Sequence, residues 1–447
     1  MKKILAAVLA LCLCMSVFAA CTDAGTSSAA NSEASSSQPA SSAADSSSED
    51  ASSEPETGDT TASGEFTYWT FTDSANNLVT EFNKVYPDVT VNLQVYGGDE
   101  YKTKLMTTIQ SGSDIPDLFD LEEGYVYEFF DSSALEDLSA LGFEEKTSGF
   151  YDYIVASSKD SSGVIKGINF QTSPVGFWYL RDAAKQWLGT DDPDEISAML
   201  TSWEDVKAAA EKVKTDSNGS VYLWPNTSEM VKVAAFSFQP LARDGKFEVT
   251  EDWYGLLDDM RDFYDSGVTA ELGSWGEDWA AKWNNGELLF RAMPSWDFFT
   301  DWEKNTGNVG VAAPFENSYE GGTFVSMWSG SEKKELAQLF LEFICSDEFQ
   351  TVNLESYNQI PASKTLTETL SADYSAENFG GQNLLMTYDK INSGIVDIVP
   401  DKYTRALQNM FQKHADEGIK AGSDNDTIIA NLKAEVKDKY PELTGTD

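Results

Sequence analysis

Residues 111–123 read S-G-S-D-I-P-D-L-F-D-L-E-E. A helix-like run ends at Gly112, and Pro116 bars its continuation because proline lacks the N–H that a helix interior needs. Leu118, Phe119, Asp120 and Leu121 then form a short, mostly apolar run between turn signals, the pattern of a largely buried strand. The run stops at Glu122-Glu123-Gly124-Tyr125. Ligands of open α/β sheets lie outside the carboxyl ends of the strands, so a strand ending in carboxylates beside an aromatic marks a candidate site.

The preceding chain predicts two more strands pointing the same way. Phe66 to Phe71 is rich in aromatic and β-branched residues, and Val89, Val91, Leu93 and Val95 alternate strictly. Between them Leu78, Val79, Phe82 and Val85 recur at helical spacing, closed by Pro87. Tyr101, Leu105, Thr108 and Ile109 predict a second helix. The order β-α-β-α-β, with crossovers of this length, predicts parallel pairing and one shared rim at residues 69–73, 96–99 and 121–125.

The chain has 447 residues and a formal net charge of −43, from 31 basic and 74 acidic residues. The length favours more than one lobe. The charge repels nucleic acid and anionic lipid and makes an anionic ligand a poor expectation. With a single histidine, His414, multi-histidine metal sites and a Ser-His-Asp triad are not expected, and no cofactor is implied. Lys2, Lys3 and the apolar run 4–17 make a targeting segment too short for a comfortable membrane span. Phe18-Ala19-Ala20-Cys21 follows. It resembles the bacterial lipobox, with Phe18 where leucine is commonest, and so implies cleavage before Cys21 and lipidation of its thiol; the alternative is an ordinary signal peptide cut after Ala20. Cys12 and Cys14 would leave with the signal, and Cys345 reads as a small buried hydrophobe. The 43 residues 22–64 carry almost no large apolar side chains and are expected to be disordered. As a flexible tether they would reach roughly 35 Å.

Further residues carry a resemblance. Y-W-T-F from Tyr68, E-F-N-K-V-Y-P-D-V-T-V from Glu81, and K-L-M-T-T-I-Q-S-G-S-D-I-P-D-L-F from Lys104 resemble the opening of extracellular solute-binding proteins of carbohydrate ABC importers, the maltose-binding-protein-like cluster. S-G-x-x-x-P-D before a strand is the most specific element. The resemblance runs from about Phe66 to the end of the chain. It implies an α/β, two-lobed periplasmic-binding-protein-like fold with crossing hinge strands and a ligand cleft between the lobes. The first lobe is expected at 65–175 and 314–364, the second at 176–313 and 365–447, after a signal peptide (1–20) and a lipidated linker (21–64). Crossings are placed near 172–180, with the aromatic pair Trp178-Tyr179, and near 309–314; residues 163–171 are expected to form a turn and strand. The implied partners are a carbohydrate, the permease subunits of an ABC importer, and the membrane through Cys21. The chain is expected as a monomer on the extracellular face of the cytoplasmic membrane.

Candidate ligand contacts are Trp69, Glu122, Tyr125, Trp178, Trp224, Trp275, Trp296, Asp297, Gly322, Trp328 and Tyr403. Each has a plainer reading. Trp69 could be core, Glu122 a solvated surface carboxylate, and Gly322 part of an ordinary turn after Gly321. Trp275, Trp279 and Trp283 fall on one helical face, more often a core stripe than a binding surface. The strongest pair is Trp296-Asp297 in P-S-W-D, where the resemblance places a sugar-facing aromatic. A flat ring covers the C–H face of a sugar while carboxylates take hydroxyls at its edge. The competing function is an exported glycosidase or lyase, which would need paired carboxylates at fixed separation.

Overall fold

The aromatic and β-branched residues of the opening stretch form β1 (Gly64–Thr70), which pairs in parallel with β2 (Val89–Val95) and β3 (Leu118–Glu122). The protein is described from a computed structural model over residues 61–296, 302–396 and 400–446. Cys21, the signal and linker up to residue 60, and Asp297 lie outside the described residues.

In register, Phe66 sits beside Val91 and Tyr68 beside both Leu93 and Leu118, so one face of three strands is apolar. The crossovers are the helices Ala75–Val85 and Gly98–Ser111, as the 3.6-residue periodicity predicts. The second ends at Gly112, whose φ of 70° is the left-handed cap that glycine adopts without penalty. A fourth strand, β9 (Thr323–Met327), returns antiparallel on the far edge of β3. Phe66, Tyr68 and Phe82 close on Phe340 of the helix Lys334–Cys345 with ring centroids 5.0–5.8 Å apart. Cys345, at the end of that helix, is a buried free thiol.

A second sheet is built around β4 (Val175–Leu180), flanked antiparallel by β7 (Phe290–Pro294) and β8 (Val309–Ala312). Every residue of β4 is buried. The intervening β5 (Ala242–Arg243) and β6 (Lys246–Phe247) make only a short hairpin. Helices Trp203–Asp216, Glu251–Ser266, Thr404–Lys420 and Asn425–Lys439 cover this sheet and share its core. Ser202 caps the first of them, its Oγ accepting the Asp205 N–H at 3.2 Å.

Two expectations change. Residues 163–171 make isolated pairings, Ile168 with Val325 and Gln171 with Pro361, because the chain there only crosses the outside of β9 before leaving the first sheet. Trp275 is not on the helix of Trp279 and Trp283. That helix is Glu277–Asn284, and Trp275 precedes it at φ 67°, a left-handed conformation rare for a bulky side chain. Trp279 and Trp283 are core; the Arg291 guanidinium lies 4.6 Å and 3.7 Å from their ring centres.

Candidate functional site

The carboxyl ends of β1 and β3 meet at a buried carboxylate. Tyr68 and Thr70 project from the same face of β1, and their hydroxyls donate to the two oxygens of Asp120 at 2.6 Å and 2.5 Å. Burial pushes Asp120 up to about pKa 7 in spite of these bonds. Glu122, at the last position of β3, is half-buried and accepts the Gly124 N–H at 2.9 Å. Burial, reinforced by neighbouring Glu123, raises its pKa to about 7. Near neutrality such a carboxyl both donates and accepts, which suits hydroxyl partners.

Glu123 is buried, and its N–H donates to the Gly322 carbonyl at 3.0 Å. Its carboxylate takes the Arg405 guanidinium, Nε at 2.9 Å and Nη2 at 2.8 Å. This pair joins the end of β3 to the helix Thr404–Lys420, which is anchored in the second core. Burial opposes the Arg405 charge, but Glu123 more than restores it.

Beyond this rim lies a cavity of about 900 Å³. Asp120, Glu122, Phe71 and Asp73 line it from the first sheet, Trp296 from the end of β7, and Gly321 and Gly322 from the segment between β8 and β9. Gln171, Asn353 and Asn358 add amides. The mixture of flat aromatic surface with carboxylates and amides, at this volume, is that of a pocket for a polar organic molecule. Trp296 is fixed by its indole N–H, which donates to the Glu320 carbonyl at 2.8 Å. Glycine is required at 321: φ is 73°, and a Cβ would lie 3.2 Å from the Trp296 indole nitrogen.

A smaller cavity, of about 370 Å³, adjoins it at Glu320 and Trp275. The Trp275 and Trp296 rings are parallel within 2°, their centroids 5.8 Å apart, and Trp275 is 45% exposed.

Of the sequence-derived candidates, Glu122, Trp296 and Gly322 come together on the larger cavity and Trp275 on the smaller. The other candidates among the described residues line neither. Trp178 and Trp224 are wholly buried, because β4 is the central strand of its sheet and Trp224 packs beneath it on Phe177 and Trp203. Trp69 is on the opposite face of β1 from Tyr68, packed on Tyr96 with Lys104 over its ring. Tyr125 turns back onto Phe129 and Lys102. Trp328 follows β9 and, since β9 is antiparallel, ends beside Asp117 at the wrong end of β3. Tyr403 packs on Tyr440 and donates to Glu442 at 2.8 Å. Sequence reasoning missed Asp120. The available signal was an acid inside an apolar run, opposite Tyr68 and Thr70 at alternating positions.

Two sheets with separate cores and a polar, aromatic-lined cavity between strand ends define a two-lobed solute-binding fold. A family profile described as bacterial extracellular solute-binding protein matches residues 77–379, more than half of the chain, and the protein belongs to this family. A comparison with curated proteins returned no match. Among solved structures, an extracellular solute-binding protein of family 1 superposes with a TM-score of 0.74 at 18% identity, over 84% of this chain and 99% of its own. The sugar-binding protein MalE of Xanthomonas citri gives 0.72 at 14% identity, over 84% and 97%. The galacto-N-biose/lacto-N-biose I-binding protein of a Bifidobacterium longum ABC transporter, in complex with lacto-N-biose, gives 0.68 at 18% identity, over 86% and 99%. Among the described residues no helix is long and apolar enough to cross a membrane.

Proposed function

We propose that this protein captures a carbohydrate in the larger cavity and hands it to the permease of an ABC importer, without transforming it. The observation that carries the reading is the pairing on one cavity of the Trp296 ring, held by Glu320, with the carboxyls of Asp120 and Glu122. An indole covers the C–H face of a sugar, and carboxyls take its hydroxyls. The structural relatives named as sugar-binding components of ABC transporters support the same reading. The first lobe is 65–175 with 314–364 and the second 176–313 with 365–447, and they close about residues 172–180 and 309–314.

A thermal-shift screen over neutral mono- and oligosaccharides tests the reading, because a ligand bound only by the native state stabilises it by RT ln(1 + [L]/Kd). At least one sugar is expected to raise the melting temperature in a concentration-dependent way. A panel without a hit would sink the proposal, and hydrolysis of a hit would replace it with the glycosidase reading. Anchoring through Cys21 is a separate proposal. Cys21→Ala should move the protein out of the membrane fraction, and an unchanged distribution would contradict lipidation.

A further inference from the structure

The ion pair of Glu123 and Arg405 is costly to bury, and the carbohydrate reading makes no use of it. Taking two charges out of water roughly cancels their attraction, so a buried pair adds little stability of its own and calls for another role. Glu123 is 2% exposed and the Arg405 side chain 19%. Nε and Nη2 of Arg405 both meet the same oxygen of Glu123, at 2.9 Å and 2.8 Å. One residue ends the first sheet. The other, 282 positions away, stands on a helix whose Leu407, Met410 and Phe411 belong to the second core.

Both ends of the pair are held firmly. Arg405 is in the first turn of the helix Thr404–Lys420, where the Asp401 carboxylate accepts the N–H groups of Tyr403 and Thr404, each at 2.9 Å. Its guanidinium lies 5.2 Å from the ring centre of Phe236, and that ring stacks on Tyr319 at 4.0 Å. Three residues further along the helix, Gln408 donates to the Ala235 carbonyl at 3.0 Å. On the other side Glu123 directly follows Glu122, a carboxyl of the larger cavity. The Glu122 carbonyl accepts the N–H groups of Tyr125 and Val126 at 3.1 Å and 2.9 Å, and its side chain accepts that of Gly124. An anchor on Glu123 therefore fixes the turn from which Glu122 projects, as supporting side chains do for the groups that meet a ligand. Arg405 itself is not on the lining of the larger cavity. Its charge still reaches Glu122: burial and Glu123 raise that carboxyl, the Gly124 N–H and Arg405 lower it, and Glu320 raises it.

The geometry points to Arg405 as a positioning residue for ligand binding: from the second lobe it clamps Glu123, and so holds Glu122 on the first lobe in the orientation that meets a ligand hydroxyl. The inference rests on the carbohydrate reading of the larger cavity and adds how one of its contacts is held.

Titration calorimetry of wild type with maltose, cellobiose, lactose, mannobiose and xylobiose selects a sugar. The same sugar is then titrated into Arg405→Met, Arg405→Lys, Glu122→Gln and Glu122→Gln/Arg405→Met. Losing a group that orients a ligand-contacting side chain typically costs about tenfold or more, so Arg405→Met should weaken binding about tenfold and Arg405→Lys less. In the Glu122→Gln background the loss of Arg405 should cost less than about twofold, because the group it holds is gone. A fall in stability is common to a positioning and a purely structural role, so the cycle with Glu122 separates them. Effects of Glu122→Gln and Arg405→Met that multiply, or wild-type affinity in Arg405→Met, would overturn the positioning role. If Arg405→Met does not fold, Glu123→Gln, which breaks the ion pair and keeps the side chain's shape, takes its place in the cycle with the same expected and contrary results. Hydrogen exchange without ligand gives a second reading. In the variant, the peptide carrying the amides of Gly124, Tyr125 and Val126 should speed up about tenfold more than the peptide carrying β4, and an equal change in both would overturn the clamp. If none of the sugars binds wild type, the carbohydrate reading falls and the exchange result alone decides the clamp.

Discussion

Replacing Trp296 by alanine separates a ligand contact from a packing role. The ring is half-buried, caps the larger cavity, and is fixed by one hydrogen bond of 2.8 Å to the Glu320 carbonyl. Truncating a well-packed aromatic anchor costs about 2 kcal/mol or more of binding. At 1.4 kcal/mol per decade that is roughly thirtyfold in Kd. The fold loses less than it would at a core tryptophan. Complete burial would make the cost about 3–5 kcal/mol. A half-buried ring with one net hydrogen bond of about 1 kcal/mol should cost about half of that. Calorimetry with the tightest sugar and urea unfolding on the same preparation measure both quantities. Affinity lowered thirtyfold with a modest fall in midpoint is the expected pair of results. Wild-type affinity in Trp296→Ala would refute the contact.

Other expectations follow from the rim. Arg405→Met leaves the Glu123 carboxylate buried without its partner and should cost about 3–5 kcal/mol in urea unfolding, most of it recovered in Glu123→Gln/Arg405→Met; a single variant as stable as wild type would contradict the buried pair. Asp120 titrates near 7 in the native state and near 3.9 unfolded, so the native state holds the extra proton between these values. Its contribution to stability is therefore complete below about pH 4 and is lost as pH rises through about 7. Asp120→Asn should flatten the fall in urea midpoint from about pH 5 to about pH 8, and an unchanged slope would show that Asp120 does not titrate there. Small-angle scattering with saturating sugar should give a smaller radius of gyration, and an unchanged radius with a confirmed ligand would argue against hinge closure.

Much of the first sheet was readable because its signals are local. Alternation in β2, the 3.6-residue repeat of the two crossover helices, Gly112 and Pro116 together place three parallel strands, and Glu122 falls at the strand end where the acid run begins. The end of β7 was equally readable, since Pro294 and Ser295 terminate the apolar run just before Trp296. What escaped depends on contacts between distant residues. Tyr68 and Thr70 meet Asp120 across about fifty positions, and Arg405 reaches Glu123 across 282. Trp178 and Trp224 read as candidate ligand contacts because nothing nearby in sequence reveals that β4 is central and buried along its whole length. Trp328 depended on the direction of β9, which no short pattern encodes. Trp275 sits at helical spacing from Trp279 and Trp283, yet the helix begins after it, at Glu277.

The claim that this protein binds a sugar and leaves it unchanged is tested most directly by equilibrium dialysis against a labelled oligosaccharide, followed by chromatography of the recovered label. Saturable binding of one sugar per chain, with the label returned at its original length after prolonged incubation, is the predicted result. Shortened or modified sugar in the recovered material, or binding that does not saturate, would contradict it.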